Sequence, residues 1–260
     1  ATNGDMVNVT TTGQASVTQI LTAAGNDDVN VATTGFSSGL DVETSDGNDL
    51  VLFEDTGDGT MAEPAVNRVL LGAGNDVFNV RGTGESSLTD VFGATGVDTF
   101  NISSDANGDR LDPNGTMAGD LDDLLGDICV FGEDSPVPGT VTDSVTGRQT
   151  DGDDVTVDVE IELGDELNIV DAGSTSDNRY ELTASTFQRT LPAPETGVVT
   201  YETVERLNVE TGSGGDTVVI ASTADETYLD FRTGDGGDTV TVSDTGEASL
   251  ADLNTQADND

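Results

Sequence analysis

The stretch Leu71-Gly72-Ala73-Gly74-Asn75-Asp76-Val77-Phe78-Asn79-Val80 contains the pattern on which the whole chain is built. A glycine turn leads to an aspartate, and apolar residues follow two and four places after it. The pattern recurs, in strong or weaker form, around Asp5, Asp27, Asp49, Asp98, Asp127, Asp153, Asp165, Asp216 and Asp238. Several of these aspartates follow one another at a spacing of about 22 residues, so the chain has an internal repeat.

Each repeat unit contains two short runs in which apolar and polar residues alternate. Val29-Asn30-Val31 is one such run, and Leu40-Asp41-Val42-Glu43-Thr44 is the next. Alternation at period two predicts β-strands with one buried side. Two short strands cannot bury a core alone, but they can when stacked on neighbours of the same kind. The sequence therefore predicts an all-β fold, a β-solenoid of the parallel β-helix or β-roll type with about 22 residues per coil and loop insertions.

The repeat pattern changes along the chain, and we expect one continuous domain with four parts. Residues 1–104 should form regular coils, and residues 105–166 should carry long loop insertions. Residues 167–210 lose the glycine turns and read as longer strands or a hairpin, while 211–260 return to coils with an acidic tail. Asn8, Asn30, Asn79 and Asn101 lie between the two inward positions of their strands, so we expect an asparagine row on the outer face.

The chain carries 51 acidic residues against 8 basic ones, a formal net charge of -43. Such a charge excludes nucleic acid and anionic membranes as partners. No stretch is long and apolar enough to span a bilayer. Aspartates at equivalent places in stacked coils would lie roughly 4.8 Å apart and repel one another, so a neutralising partner is expected.

Calcium is the expected partner, because carboxylates and turn carbonyls supply the oxygen ligands that Ca²⁺ prefers. The predicted ligands are Asp27, Asp49, Asp76, Asp98, Asp153, Asp216 and Asp238, with Asp46 and Asp235 in the turns. Two alternatives stay open. The turns could be ordinary hydrogen-bonded aspartate turns without metal, and the acidity could reflect adaptation to salt.

The turn Gly72-Ala73-Gly74-Asn75-Asp76-Val77-Phe78 resembles the glycine- and aspartate-rich nonapeptide of the RTX (repeats-in-toxin) family. That resemblance implies β-rolls that bind Ca²⁺ between successive turns, although Leu71 stands where the family has its first glycine. The chain also resembles the acidic repetitive surface proteins of aquatic bacteria, whose turns are similar. This broader resemblance covers most of the chain and implies an architecture more than an activity.

Catalysis finds little support in the sequence. Adjacent aspartates such as Asp27 and Asp28 point to opposite faces of a strand, and the chain has no histidine to activate Cys129. Cys129 falls two places after Asp127, where the pattern predicts an inward position. Ala1 opens the sequence without a signal-like segment, which is expected of a processed chain or an internal fragment.

We therefore expect a secreted, extracellular or cell-surface structural protein that is not an enzyme. Calcium would stabilise it, and copies would stack end to end or laterally into a filament or surface layer. One alternative is a stalk segment of a large adhesin. Another is a calcium-dependent β-helix enzyme that acts on polysaccharides.

Overall fold

The computed structural model describes residues 4–132, 140–148, 154–162, 164–191 and 195–255. These residues form strands and turns and contain no helix, so none of them forms a helix that could span a membrane. The strands are β1 (Met6–Val9), β2 (Val17–Leu21), β3 (Asp28–Val31), β4 (Gly39–Glu43), β5 (Leu50–Phe53), β6 (Ala65–Ala73), β7 (Val77–Val80), β8 (Ser87–Thr95), β9 (Thr99–Ile102), β10 (Asp127–Phe131), β11 (Thr140–Arg148), β12 (Asp154–Glu162), β13 (Glu166–Val170), β14 (Arg179–Leu182), β15 (Thr186–Leu191), β16 (Val199–Glu202), β17 (Arg206–Glu210), β18 (Thr217–Ile220), β19 (Tyr228–Arg232), β20 (Thr239–Val242) and β21 (Leu250–Asn254).

Two large sheets share most of these strands. The parallel sheet has nine strands in the order β1-β3-β5-β7-β9-β13-β17-β19-β21. The mixed sheet has ten strands in the order β2-β4-β6-β8-β10-β16-β15-β14-β18-β20, with β15 antiparallel to both of its neighbours. Strands β11 and β12 pair separately as an antiparallel hairpin. Up to β10, successive strands alternate between the two sheets.

The predicted β-solenoid with about 22 residues per coil and loop insertions is wrong, and so is the description of the chain as an RTX-like repeat protein. The structure consists of two open sheets, one parallel and one mixed, and the chain does not close into a solenoid. The early strands do pair 22 residues apart, as Val29 pairs with Val51. The alternation between the two sheets stops at β14, β15 and β16. These three consecutive strands all lie in the mixed sheet.

The core lies between the inner faces of the sheets. In the central strands of the parallel sheet, the apolar residues two and four places after an aspartate are fully buried, as at Phe78 and Val80 or Phe100 and Ile102. This agrees with the period-two pattern of the sequence. Burial of such side chains contributes roughly 1.5–3 kcal/mol each, and most strands between the two ends of the sheets add at least one. Cys129, by contrast, is only half-buried, because Ile128 and Val130 take the inward positions of β10.

An asparagine row runs along the outer face of the parallel sheet. Asn101 Nδ2 donates to Asn79 Oδ1 at 2.9 Å, Asn168 Nδ2 to Asn101 Oδ1 at 3.0 Å, and Asn208 Nδ2 to Asn168 Oδ1 at 2.8 Å. The segment 105–119 folds over the start of this row. Its Gly108 carbonyl accepts from Asn79 Nδ2 at 2.9 Å, so Asn79 and Asn101 are buried.

A buried polar network joins the mixed sheet to the segment before β10. Arg189, which is 5% exposed, donates through Nη1 to both carboxylate oxygens of Asp171 at 3.1 Å and through Nη2 to Asp122 at 2.7 Å. The Tyr180 hydroxyl donates to Asp171 Oδ2 at 2.7 Å, and the Leu121 amide donates to Oδ1 at 2.9 Å. Burial raises the pKa of Asp171, and the Tyr180 hydroxyl and the Arg189 guanidinium oppose that rise.

Replacing Arg189 by methionine should destabilise the fold by about 3 kcal/mol, because Asp171 would keep a buried charge without its partner. Urea unfolding followed by circular dichroism measures the change. Arg179→Met is the control, since Arg179 pairs with Glu181 at 3.0 Å on the surface and its loss should cost less than about 1 kcal/mol. Equal effects of the two substitutions would contradict the structural role of the buried network.

Candidate functional site

The glycine turns bring successive layers into backbone contact; a layer is one strand with the turn before it. Gly74 has φ 146° and Gly96 has φ 143°, backbone conformations that favour glycine. A Cβ added to Gly74 would lie 1.7 Å from the carbonyl oxygen of Gly47, and one added to Gly96 would lie 1.6 Å from that of Gly74. Only glycine permits this approach, which explains why the turn recurs.

The aspartate of each glycine turn uses one carboxylate oxygen to accept a hydrogen bond from a backbone amide of the preceding layer. Asp49 Oδ1 accepts from the Asp27 amide at 2.7 Å, Asp76 Oδ1 from the Asp49 amide at 2.6 Å, and Asp98 Oδ1 from the Asp76 amide at 2.8 Å. Asp165 Oδ1 continues the series by accepting from the Asp98 amide at 2.7 Å. We call Asp27, Asp49, Asp76, Asp98 and Asp165 the first column.

An asparagine stands before Asp27, Asp49 and Asp76, and it binds in the opposite direction. The Asn48 amide donates to Asn26 Oδ1 at 3.1 Å, and the Asn75 amide donates to Asn48 Oδ1, also at 3.1 Å. Asparagine therefore accepts from the following layer, and aspartate accepts from the preceding one. The three residues of a Gly-Asn-Asp turn are thus each explained by contacts between layers.

The first column is buried, and burial changes the protonation of several of its members. Asp27, Asp49, Asp76 and Asp98 are at most 1% exposed. Burial raises the pKa of Asp76 to about 8, and the neighbouring charges of Asp98 and Asp49 add to the rise. Burial likewise raises the pKa of Asp98 to about 7 and that of Asp165 to about 8. These carboxyl groups therefore gain or lose protons near neutral pH.

The residue five places before each aspartate modifies this effect. Burial raises the pKa of Asp49 and takes that of Asp216 to about 6, and Thr44 and Thr211 oppose the rise. Asp76 and Asp98 have Leu71 and Gly93 at the corresponding places, which offer no side-chain hydroxyl. The second oxygen, Oδ2, is buried without a hydrogen-bond partner among the described residues in Asp27, Asp49, Asp76 and Asp98 alike.

The predicted site residues do not all belong to one column. Asp216 and Asp238 precede β18 and β20 of the mixed sheet and form a second column, in which the Asp216 amide donates to Asp238 Oδ1 at 2.9 Å. Asp46 and Asp235 have exposed side chains. Among the described residues, they accept hydrogen bonds through their backbone carbonyls. Asp153 lies outside the described residues.

Two acidic positions differ from what the repeat predicted. Asp127 does not join the first column, because it starts β10 of the mixed sheet, where its exposed Oδ1 accepts from the Val198 amide at 2.9 Å. Glu205 does extend the column, since its Oε2 accepts from the Asp165 amide at 2.6 Å. A repeat search for aspartate could not find a glutamate in that position.

The first column does not fit a calcium ion. Ca²⁺ takes six to eight oxygen ligands, whereas each of these aspartates already binds a backbone amide through Oδ1. Leu71 and Gly93 add no side-chain oxygen beside Asp76 and Asp98. Across the described parts of the chain, no three acidic or cysteine side chains converge to hold a metal. Calcium binding by this protein therefore stays a prediction.

Cys129 is a poor nucleophile in this setting. Burial raises the pKa of its thiol to about 11, and the neighbouring charge of Asp90 adds to the rise. The thiol is therefore protonated at neutral pH, and only the thiolate is reactive.

Comparisons with models of known protein families, with curated proteins and with solved structures found no match to this chain.

Proposed function

We propose that this chain is a non-catalytic structural protein of the cell exterior that assembles end to end with further copies of itself. The observation that carries the proposal is the pair of open edges at each end of the described structure. Strands β1 and β2 each have one neighbour in their sheets, and so do β20 and β21. Open strand edges are templates for pairing with another chain.

Strand direction supports continuous pairing between copies. All strands of the parallel sheet point the same way, so β21 of one copy can pair with β1 of the next in parallel. In the mixed sheet, β15 reverses direction and β14 restores it, so β20 is again parallel to β2. A second copy in the same orientation would therefore extend both sheets at once.

Apolar side chains at both ends give the contact a driving force. Val242 of β20 and Leu253 of β21 are exposed at one end, and Val7 and Val9 of β1 are only partly buried against the core at the other. Burying them between copies would contribute about 25 cal/mol per Å². A non-catalytic role is supported by the burial of the acidic columns, which places their carboxylates beyond the reach of a substrate.

Assembly should depend strongly on salt, because copies with a net charge of -43 repel one another. Sedimentation velocity should show monomers at about 0.02 M salt and a concentration-dependent series of larger species at about 0.5 M, where screening is strong. The same runs with added CaCl₂ or with a chelator test whether calcium takes part.

The substitution Val17→Glu should prevent assembly by placing a charge on the edge strand β2. Met61→Glu is the matched control, since it adds the same charge at an exposed position in the loop before β6. A wild-type chain that stays monomeric at every salt concentration would overturn the proposal. A stalk segment, whose edges are covered by other parts of a longer polypeptide, would then be favoured.

A further inference from the structure

A cleft of about 380 Å³ lies on the outer face of the parallel sheet, separate from the sheet edges and from the buried columns. Its floor consists of outward side chains of β13, β17 and β19, which are neighbours in the sheet. One wall is formed by residues 114–117 of the inserted segment. This volume is at the lower end of the range for small-molecule sites.

The strand register arranges the floor as a grid. Glu166 lies beside Arg206. In the next row, Asn168 lies beside Asn208, and Asn208 beside Asp230. Glu210 lies beside Arg232 in the third row.

The wall is tied to the floor and holds the cleft open. Asn114 Nδ2 donates to Glu166 Oε1 at 2.9 Å, and the same oxygen accepts from Asn208 Nδ2. Farther back, Asn101 Nδ2 donates to the Pro113 carbonyl at 2.8 Å. A cleft held in this way needs little ordering when a ligand binds, which favours affinity.

The polar groups of the floor match a ligand with several hydroxyl groups. Asn208 Nδ2 already donates to Glu166 and Asn168, which leaves Asn208 Oδ1, the carboxylates and the guanidinium groups to accept from and donate to neighbouring hydroxyls. The Arg206 guanidinium carbon lies 6.0 Å from the centre of the Tyr228 ring, and Arg206 Nε is buried without a hydrogen-bond partner among the described residues. Arg206 is therefore held in place and has a donor still to satisfy.

The charges of the cleft argue for a neutral ligand. Three carboxylates, from Glu166, Glu210 and Asp230, stand against the guanidinium groups of Arg206 and Arg232, and Arg232 pairs with Asp230 at 2.7 Å. The cleft thus has a slight negative charge within a strongly negative protein, which repels anions. We propose that this cleft binds a neutral saccharide through the asparagine row and its flanking charged pairs. The site is independent of end-to-end assembly.

Titration with D-glucose, D-galactose, N-acetylglucosamine and their disaccharides, followed by nuclear magnetic resonance, tests the proposal. At least one of these sugars should shift the side-chain amide signals of Asn168 and Asn208 and saturate in the millimolar range. Glucuronate, an anionic comparator, should bind more weakly than glucose. Asn208→Ala and Glu210→Gln should each raise the dissociation constant about tenfold or more.

Asn30→Ala is the matched control, because Asn30 has the same outward place on β3 of the same sheet, away from the cleft. It should leave binding unchanged. The proposal is overturned if none of the sugars shifts those signals at roughly 50 mM, beyond the weak end of specific binding. It is also overturned if Asn30→Ala weakens binding as much as the cleft variants do, or if glucuronate binds best.

Discussion

Lowering the pH from about 9 to about 5 should stabilise this protein by on the order of 5 kcal/mol or more, opposite to the usual behaviour of paired carboxylates. The folded state raises the pKa of Asp76, Asp98 and Asp165 to between about 7 and 8. The unfolded chain has aspartate pKa values near about 3.9. Between the unfolded and the folded pKa values, the folded state binds more protons than the unfolded chain. The free energy of unfolding therefore falls as the pH rises through the folded pKa values.

The mechanism predicts a specific response to Asp98→Asn. The carbonyl oxygen of the introduced side chain can still accept from the Asp76 amide, so the link between layers persists. Its amide group would lie where Oδ2 of Asp98 finds no acceptor, as does the hydroxyl of the protonated wild-type carboxyl group. The variant should therefore be about as stable as wild type at about pH 5 and more stable than wild type at about pH 9.

Urea unfolding across this pH range measures both effects. Asp46→Asn is the control, because Asp46 lies in a turn of the same motif with an exposed side chain. It removes one charge without touching the column and should leave the slope of stability against pH unchanged. If stability rises with pH instead, the column is charged and stabilised by another partner. A calcium-dependent rise in stability that Asp98→Asn abolishes would identify that partner as the metal.

The strands and their buried faces could be predicted from the sequence, because alternation at period two is a local signal. Val29, Val31, Phe78 and Val80 are buried where the pattern placed them. The order of the strands could not be predicted beyond residue 104. Asp98 meets Asp165, a residue 67 positions away, and no spacing in the sequence indicates that partner.

The acidic turns show a different gap between sequence and structure. The repeat placed Asp27, Asp49, Asp76 and Asp98 at equivalent positions, but it did not indicate which atoms their carboxylates meet. A buried carboxylate that accepts from an amide and a metal ligand have the same residue type and spacing. The residue five places before the aspartate differs from turn to turn: Thr44 precedes Asp49, whereas Leu71 precedes Asp76. That signal is visible in the sequence, although its meaning depends on the structure.

The Arg189 network was also beyond sequence reasoning. Arg189 and Asp171 lie 18 residues apart on either side of β14, and Asp122 lies 67 residues before Arg189. The arginines share no position in the repeat, because this network belongs to the part of the mixed sheet where the repeat is interrupted. Long-range pairing between irregular segments leaves no periodic pattern.

Replacing Gly74 by alanine should destabilise the protein by more than about 4 kcal/mol, a large effect for one methyl group. The added Cβ would lie 1.7 Å from the Gly47 carbonyl oxygen, so either the layers must separate or the turn must change conformation. Separation would lengthen the 2.7 Å hydrogen bond from the Gly47 amide to the Ala73 carbonyl. The φ of 146° adds backbone strain that glycine avoids.

Gly237→Ala provides the comparison within a turn of the same kind. No heavy atom lies within 4 Å of a Cβ built on Gly237, so this substitution should leave stability within about 1 kcal/mol of wild type or raise it slightly. Urea unfolding at about pH 5, where Asp76, Asp98 and Asp165 are protonated, separates this steric effect from the effect of charge. If the two variants are equally stable, the layers are not in backbone contact at the glycine turns. The recurrence of glycine would then require another cause.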